Sequence, residues 1–237
     1  MKRFFLYTYA GVGLLTLSAF AAGPALAYFD LLPSASAFGI FFVAEVVSVP
    51  MILIGAAIIS RGGASPAAVI GTFASLVPAA SLIYLVATFW KFPAINDIST
   101  DSAFPPQITQ TDQTPTGQTI ELEYPKANKA VIAEHYPDIQ SLGLETSGER
   151  IFGRIQDFVR NTERWTVAST QLSDKESILQ AEVASPIFHF IDDIAIRVTN
   201  VSGGHCVVDV RSRSRVGRGD LGANAGHIRE ILSTLQP

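Results

Sequence analysis

The hydrophobic pattern divides the chain into an apolar N-terminal part and a mixed remainder. Three charge-poor stretches are each long enough to cross a membrane core of about 30 Å, which takes about 20 helical residues. They run over residues 4–29, 38–60 and 66–90. The pattern therefore predicts a membrane domain of three transmembrane helices within residues 1–93. The lipid bilayer is accordingly the first predicted partner of the chain.

The first stretch also fits a cleaved signal peptide. Lys2 and Arg3 form a basic start, and Ala25-Leu26-Ala27 matches an A-x-A cleavage site. The apolar run is long for a signal peptide, so a retained helix is the preferred interpretation. The two alternatives stay open at this point.

The distribution of basic residues predicts the orientation of the helices. Lys2 and Arg3 precede the first stretch, Arg61 lies in the second loop, and the first loop carries Asp30 but no basic residue. Because basic loops stay in the cytoplasm, we expect a cytoplasmic N-terminus and a periplasmic C-terminal domain. The predicted location is the inner (plasma) membrane of a bacterium.

A polar segment rich in Thr, Asp, Gln and Pro follows the third stretch, over residues 94–117. Pro105, Pro106 and Pro115 exclude a regular helix. We therefore expect an extended strap between the membrane part and a folded domain.

Residues 118–237 predict that folded domain. Helical periodicity indicates helices over 126–135, 148–163 and 223–235, and alternating apolar and polar residues indicate strands over 165–172, 178–184, 191–198 and 205–212. This order favours an α+β fold, with a mostly antiparallel sheet and helices packed on one face. The other face of the sheet is expected to be polar.

The composition agrees with two unlike parts. Mean hydropathy is +0.31 and only 16% of residues are charged. Residues 1–93 carry four basic and two acidic side chains, whereas the rest carries 13 basic and 19 acidic ones. These values exclude a disordered chain and a wholly soluble protein. The single cysteine, Cys206, excludes an intrachain disulfide.

The best candidate for a site is a basic stretch near the C-terminus. Asp209, Arg211, Arg213 and Arg215 alternate along a strand and so share one face. A glycine-rich loop and a helix start follow, and helix N-termini favour anions. The hypothesis is a site for a phosphate, a carboxylate or an anionic lipid head group. Its proposed residues are Asp209, Arg211, Arg213, Arg215, Arg218 and Asn224. The alternative is an arginine–aspartate ladder that only stabilises the sheet.

Other motifs carry little chemistry. Gly217–Gly222 matches G-x-G-x-x-G, but the preceding sheet is not a parallel βαβ unit, so a dinucleotide site is rejected. No histidine or cysteine spacing indicates a metal site, and no nucleophile motif is present. The sequence therefore predicts no catalytic residue, no metal, no cofactor and no nucleic-acid partner.

Glu45 is the one acidic residue inside a predicted span. An intramembrane carboxyl is a functional hypothesis by default. The simpler interpretation is a hydrogen-bonded residue that joins helices. The small-residue pairs Ala35/Gly39 and Gly71/Ser75 predict close helix packing.

Several segments together resemble a known family. They are Asn96–Asp101 with Pro105-Pro106, Asp192–Arg197, Val208–Gly217 and Asp220–Asn224. In this order they resemble the bacterial domain-of-unknown-function 1499 family over about residues 95–237. The resemblance implies an envelope-associated domain without an established activity, and it implies that the strap belongs to the domain. It carries over no catalytic residue.

Three functional hypotheses follow. The preferred one is a non-enzymatic inner-membrane protein whose periplasmic domain binds an anionic small molecule, lipid head group or envelope protein through the basic loop. The second is an envelope hydrolase or transferase that uses Arg213, Arg215 and Asp209 on a phosphorylated or carboxylated substrate. The third is a small transporter subunit that uses Glu45.

Overall fold

A computed structural model of the full chain describes residues 2–109 and 123–236. Two compact units make up the structure. The first holds the residues up to Trp90 together with Ile187–His189, and the second holds the rest.

Three long helices form the first unit. They are α1 (Lys2–Tyr28), α2 (Ser34–Ser60) and α3 (Pro66–Phe89). At 24 to 27 residues each, they are about 36–40 Å long at 1.5 Å per residue. All three are apolar enough to cross a membrane, which confirms the prediction of three N-terminal apolar helices. Each has an internal proline, a feature that membrane helices tolerate.

Small residues let these helices approach closely. A Cβ atom added at Gly71 of α3 would lie 2.6 Å from the Tyr9 ring of α1, and one added at Gly13 would lie 2.8 Å from the Cα of Gly71. The Tyr9 hydroxyl donates to the Met51 carbonyl at 2.6 Å and lies 3.0 Å from the Thr72 hydroxyl. Tyr9 therefore links α1 to both other helices.

The two predicted small-residue pairs have different outcomes. Gly71 and Ser75 are buried in α3, as close packing requires. The Ala35/Gly39 pair was wrong as a packing site: Ala35 is exposed, and a Cβ at Gly39 would meet no described atom within 4 Å. Sequence spacing identifies a row of small residues on one side of a helix. The arrangement of the neighbouring helices decides which of these rows is buried in a helix contact.

The second unit is an open sheet with three helices. Within the described residues its strands are β1 (Asp97–Ser99), β2 (Leu142–Leu144), β3 (Trp165–Gln171), β4 (Glu176–Ala184), β5 (Ile191–Val201) and β6 (His205–Ser214). Its helices are α4 (Asn128–His135), α5 (Gly148–Asn161) and α6 (Ala223–Leu235). The strand order is β1-β6-β5-β4-β3, with β2 also paired to β6, and all pairs are antiparallel. This confirms the predicted α+β fold.

One face of the sheet carries the hydrophobic core. Ile194, Ile196 and Val198 of β5 lie beside Val208 and Val210 of β6, as the alternation predicts. The helices cover this face with apolar side chains, namely Ile132, Ile151, Phe152, Ile155, Val159, Ala225, Ile228, Ile231, Leu232 and Leu235. Cys206 is buried on the same face. Area burial of this kind is the main stabilising term of such a fold.

The polar face of the sheet is covered as well. Residues 100–109, here called the covering segment, follow β1 and lie across this face. Pro106 and Ile108 are buried there, and the Thr109 amide donates to the Gln180 side chain of β4 at 3.0 Å. The predicted strap is therefore part of the folded domain from β1 to residue 109. Residues 110–117 of the strap lie outside the described part of the chain.

The two shortest strands, β1 and β2, were not predicted. Three residues are too few to show an alternation, and both strands depend on the long strand β6 for their pairing. β1 faces Ser212 through Ile98, and β2 faces Val207 through Gly143.

Replacing Gly71 tests the helix packing. Gly71→Ala should destabilise the helix unit by about 1–3 kcal/mol, because the new methyl group overpacks the Tyr9 ring. Unfolding by SDS in mixed micelles, followed by helical circular dichroism, measures the change. Gly11→Ala is the matched control, since a Cβ there meets no described atom within 4 Å and alanine favours the helix. Equal stability of the two variants would contradict the packing.

Candidate functional site

The basic stretch lies on the polar face of the sheet, as predicted. On that face Arg211 and Arg213 of β6 stand opposite Ala195 and Asp193 of β5, and Asp209 stands opposite Arg197. Directly opposed residues of antiparallel strands project to the same side. The alternation in sequence was therefore sufficient to place these side chains together.

Arg211 makes the most buried ion pair of the face. Its guanidinium is 0% exposed and binds Asp97 of β1 with both carboxylate oxygens, at 2.9 and 2.8 Å. It also donates to the Pro106 carbonyl at 3.4 Å and lies 5.2 Å from the centre of the Tyr124 ring. A bidentate pair of this kind fixes orientation as well as charge. Arg211 therefore attaches β1 and the covering segment to β6.

Arg215 and Arg213 also have carboxylates beside them. Arg215 binds Asp193 at 2.6 Å and also binds Glu182 of β4. The Nε atom of Arg213 lies 4.0 Å from Asp97, and its side chain is 12% exposed. Burial raises the pKa of Asp193, while the hydrogen bond from Arg215 opposes this shift.

Asp209 is the centre of a third group of contacts. Its Oδ2 accepts from Arg197 at 2.8 Å, and its Oδ1 accepts from the Ser141 hydroxyl and, at 3.4 Å, from the Thr100 hydroxyl. Arg197 also reaches Asp101 at 3.3 Å. Both oxygens of Asp209 are therefore engaged by the protein itself.

The arginines of this face are balanced by nearby acids. Among the described residues, the four arginines are Arg197, Arg211, Arg213 and Arg215, and the carboxylates within 4.0 Å of them are Asp97, Asp101, Glu176, Glu182, Asp193 and Asp209. Three adjacent guanidiniums require anions between them, and side chains of the domain supply these anions. The sequence did not show this, because Asp97, Asp101 and Glu182 come from distant segments.

The last two predicted residues lie apart from this cluster. Asn224 is buried at the start of α6, donates to the Asn96 carbonyl at 3.1 Å and the Ser214 hydroxyl at 2.9 Å, and accepts from Ser212. Ser212 and Ser214 alternate with the arginines, so Asn224 lies on the opposite side of β6. Arg218 is exposed in the loop before α6. Anion binding by the six predicted residues stays a prediction.

The carboxylate of Asp220 binds the backbone amides at the start of α6, where the sequence predicted an anion site. Its two carboxylate oxygens accept from the backbone amides of Gly222 and Asn224, each at 2.9 Å. Burial raises the pKa of Asp220, while these amide donors oppose the shift. An aspartate ahead of a helix is a recognisable capping signal, and sequence reasoning missed it here.

A polar cavity lies at the edge of the sheet, where β1 ends and β2 begins along β6. It is formed by the first residues of the covering segment, by α4 and by the residues before β2. Its volume is about 360 Å³, within the range of about 300–1,000 Å³ for small-molecule sites. The polar lining residues are Thr100, Asp101, Ser102, Lys129, Tyr136, Gln140 and Ser141. We call this space the edge cavity.

Two lining groups have unused binding capacity. The Tyr136 hydroxyl is buried and has no hydrogen-bond partner among the described residues. Burial raises the pKa of Tyr136, so the hydroxyl keeps its proton at neutral pH. The ammonium group of Lys129 makes no ion pair with a described residue. Asp101, by contrast, accepts from Arg197 and from the amides of Ala103 and Phe104.

Glu45 lies in the other unit. It is fully buried within the helices. Among the described residues, no group of three or more metal-ligating side chains is present.

The family model "Protein of unknown function (DUF1499)" matches residues 97–235, more than half of the chain. The chain belongs to the DUF1499 family. The matched segment begins with β1 and ends with the last residue of α6. The DUF1499 domain therefore includes β1 and the covering segment, as the resemblance implied, and excludes the three apolar helices. No curated protein matches this sequence.

The ion pair at the centre of the DUF1499 domain gives a stability test. Asp97→Asn leaves the buried Arg211 without its charge partner, so it should cost about 3–5 kcal/mol. Asp138→Asn breaks an equally bidentate pair with Arg229 whose side chains are about half exposed, and should cost about 0–1 kcal/mol. Urea unfolding in detergent, followed by Trp165 fluorescence in a Trp90→Phe background, measures both. Similar costs would contradict the assigned role of Arg211.

Proposed function

We propose that this chain is a membrane-anchored, non-enzymatic binding protein whose DUF1499 domain takes a small anionic ligand in the edge cavity. The observation that carries the proposal is the edge cavity itself, whose lining includes Tyr136, a residue whose buried hydroxyl lacks a partner among the described residues. Buried polar groups are nearly always hydrogen-bonded. We expect a ligand or a bound water to supply the partner.

One charge of the lining, that of Lys129, favours an anion. Lys129 is exposed and has no acidic partner among the described residues, whereas Asp101 is paired with Arg197, which also contacts Asp209 and Glu176. Tyr136, Ser141 and Gln140 add side chains that donate hydrogen bonds. A carboxylate or phosphate with several acceptor oxygens matches this set of donors.

The arginine network serves as the frame of this site. Arg197 and Asp209 hold Asp101, Thr100 and Ser141 in place, and all three of these line the cavity. Asp209 therefore contributes to the proposed site indirectly. Because both of its oxygens are engaged, Asp209 is a poor general base, and this supports binding over the hydrolase alternative.

We further propose that the DUF1499 domain lies outside the cytoplasm, at the inner membrane of a bacterium. Support comes from Lys2, Arg3 and Arg61, whose positions favour a cytoplasmic N-terminus and second loop. Three membrane passes then carry the chain to the opposite side.

Substitutions in the cavity test the binding proposal. Lys129→Gln and Tyr136→Phe should each weaken binding about tenfold or more, since a hydrogen bond to a charged group contributes about 1.5–3 kcal/mol. Native mass spectrometry of the full chain in mild detergent detects a retained ligand, and titration with inorganic phosphate or acetate measures affinity. Tyr136→Phe should leave the stability of the ligand-free protein unchanged or higher, because it removes an unsatisfied hydroxyl.

Two control variants make the test specific. Lys126→Gln removes a neighbouring lysine that does not line the cavity and should bind like the wild type. Arg218→Ala removes the exposed arginine of the basic loop and should also bind normally. Binding that is lost in Arg218→Ala but kept in Lys129→Gln would place the ligand at the loop and refute the edge cavity.

Topology has an independent test. Alkaline phosphatase fused after Pro237 should be active, because that enzyme matures only outside the cytoplasm, and a cytoplasmic β-galactosidase fusion at the same position should be inactive. The reverse result would show that the DUF1499 domain faces the cytoplasm.

A further inference from the structure

Glu45 lies deep inside the helix unit. It is residue 12 of the 27 in α2, about 16 Å from the first residue of that helix and about 22 Å from its last. Its side chain is 0% exposed. In a membrane, this depth places the carboxyl far from both aqueous surfaces.

Both carboxyl oxygens of Glu45 lack a hydrogen-bond partner among the described residues. The Ser81 hydroxyl of α3 lies near the carboxyl and interacts with it, without reaching full hydrogen-bond geometry. Ser48, one turn further along α2, donates its proton to the Glu45 backbone carbonyl instead. The hydroxyl of Ser48 therefore has lone pairs left but no second proton to donate.

No opposite charge among the described residues pairs with Glu45. α3 has no charged residue, α2 has no other, and the described charges of the unit lie towards the helix ends at Arg3, Asp30 and Arg61. Among the tyrosines of α1 and α3, Tyr9 is bound to Met51 and Thr72. The others, Tyr7, Tyr28 and Tyr84, are more than half exposed.

These surroundings favour the protonated form of the Glu45 carboxyl over the ionised form. An ionised carboxylate accepts hydrogen bonds only, and burying it without a partner costs far more than burying the neutral acid. A protonated carboxyl is uncharged and carries a donor that suits the remaining lone pairs of nearby serines.

We propose that Glu45 is an intramembrane proton-binding site, whose carboxyl holds a proton at neutral pH and releases it reversibly. The bound ligand is the proton itself. In the binding reaction, one carboxylate and one proton form one carboxylic acid. This inference is independent of the edge cavity, because it concerns the other unit.

Infrared difference spectroscopy tests the protonation state directly. The spectrum of the full chain minus that of Glu45→Gln, at neutral pH in detergent, should show the C=O band of a protonated carboxyl. The band should vanish at alkaline pH and return on reacidification. Carboxylate bands at neutral pH, or a protonated band that never titrates, would overturn the proposal. Circular dichroism confirms that Glu45→Gln, a neutral isostere, keeps its helices.

A hydrophobic carbodiimide provides a second test. The acid adds to dicyclohexylcarbodiimide: its oxygen bonds the central carbon and its proton moves to a nitrogen, so no atom is lost. Peptide mass spectrometry should find the label on Glu45 and none at this position in Glu45→Gln, and the labelling should fall as the pH becomes alkaline. Protection by sodium chloride, but not by choline chloride, would assign the site to a monovalent cation and overturn a proton site.

Discussion

The buried ion pair between Arg211 and Asp97 is the contact on which the DUF1499 domain depends most. It joins a long central strand to a strand of three residues that could not pair stably alone. Through Pro106 the same guanidinium holds the covering segment on the polar face. A fully buried arginine tolerates this position only with a carboxylate in bidentate contact. The pair therefore fixes the start of the domain as well as its centre.

The neighbouring charges extend this arrangement towards the edge cavity. Asp209 connects Arg197 with Thr100 and Ser141, so the wall of the cavity is built on the same polar face. In the proposed function the basic stretch serves as a scaffold, and the proposed ligand contacts, Lys129 and Tyr136, lie beside it. The ion pairs of the polar face hold the cavity wall in place. The proposed donors do not take part in those ion pairs, so their hydrogen-bonding groups remain available to a ligand.

The two units handle buried polarity in opposite ways. In the DUF1499 domain each arginine on the polar face has a carboxylate within 4.0 Å. In the helix unit the only buried acid has no such partner among the described residues. Ion pairing compensates for burial in the first case, and proton uptake is the simplest compensation in the second.

The sequence alone determined the three apolar helices, the long strands, α5 and α6, and the shared face of Asp209, Arg211 and Arg213. These features repeat with a period of two or 3.6 residues, and periodicity is local information. Only the tertiary structure decided that Asp97 and Asp101 neutralise the arginines, that Asn224 lies on the other face, and that residues 100–103 and 137–141 enclose a cavity. Those contacts join segments about 35 to 130 residues apart that carry no repeating pattern, so folding alone brings them together.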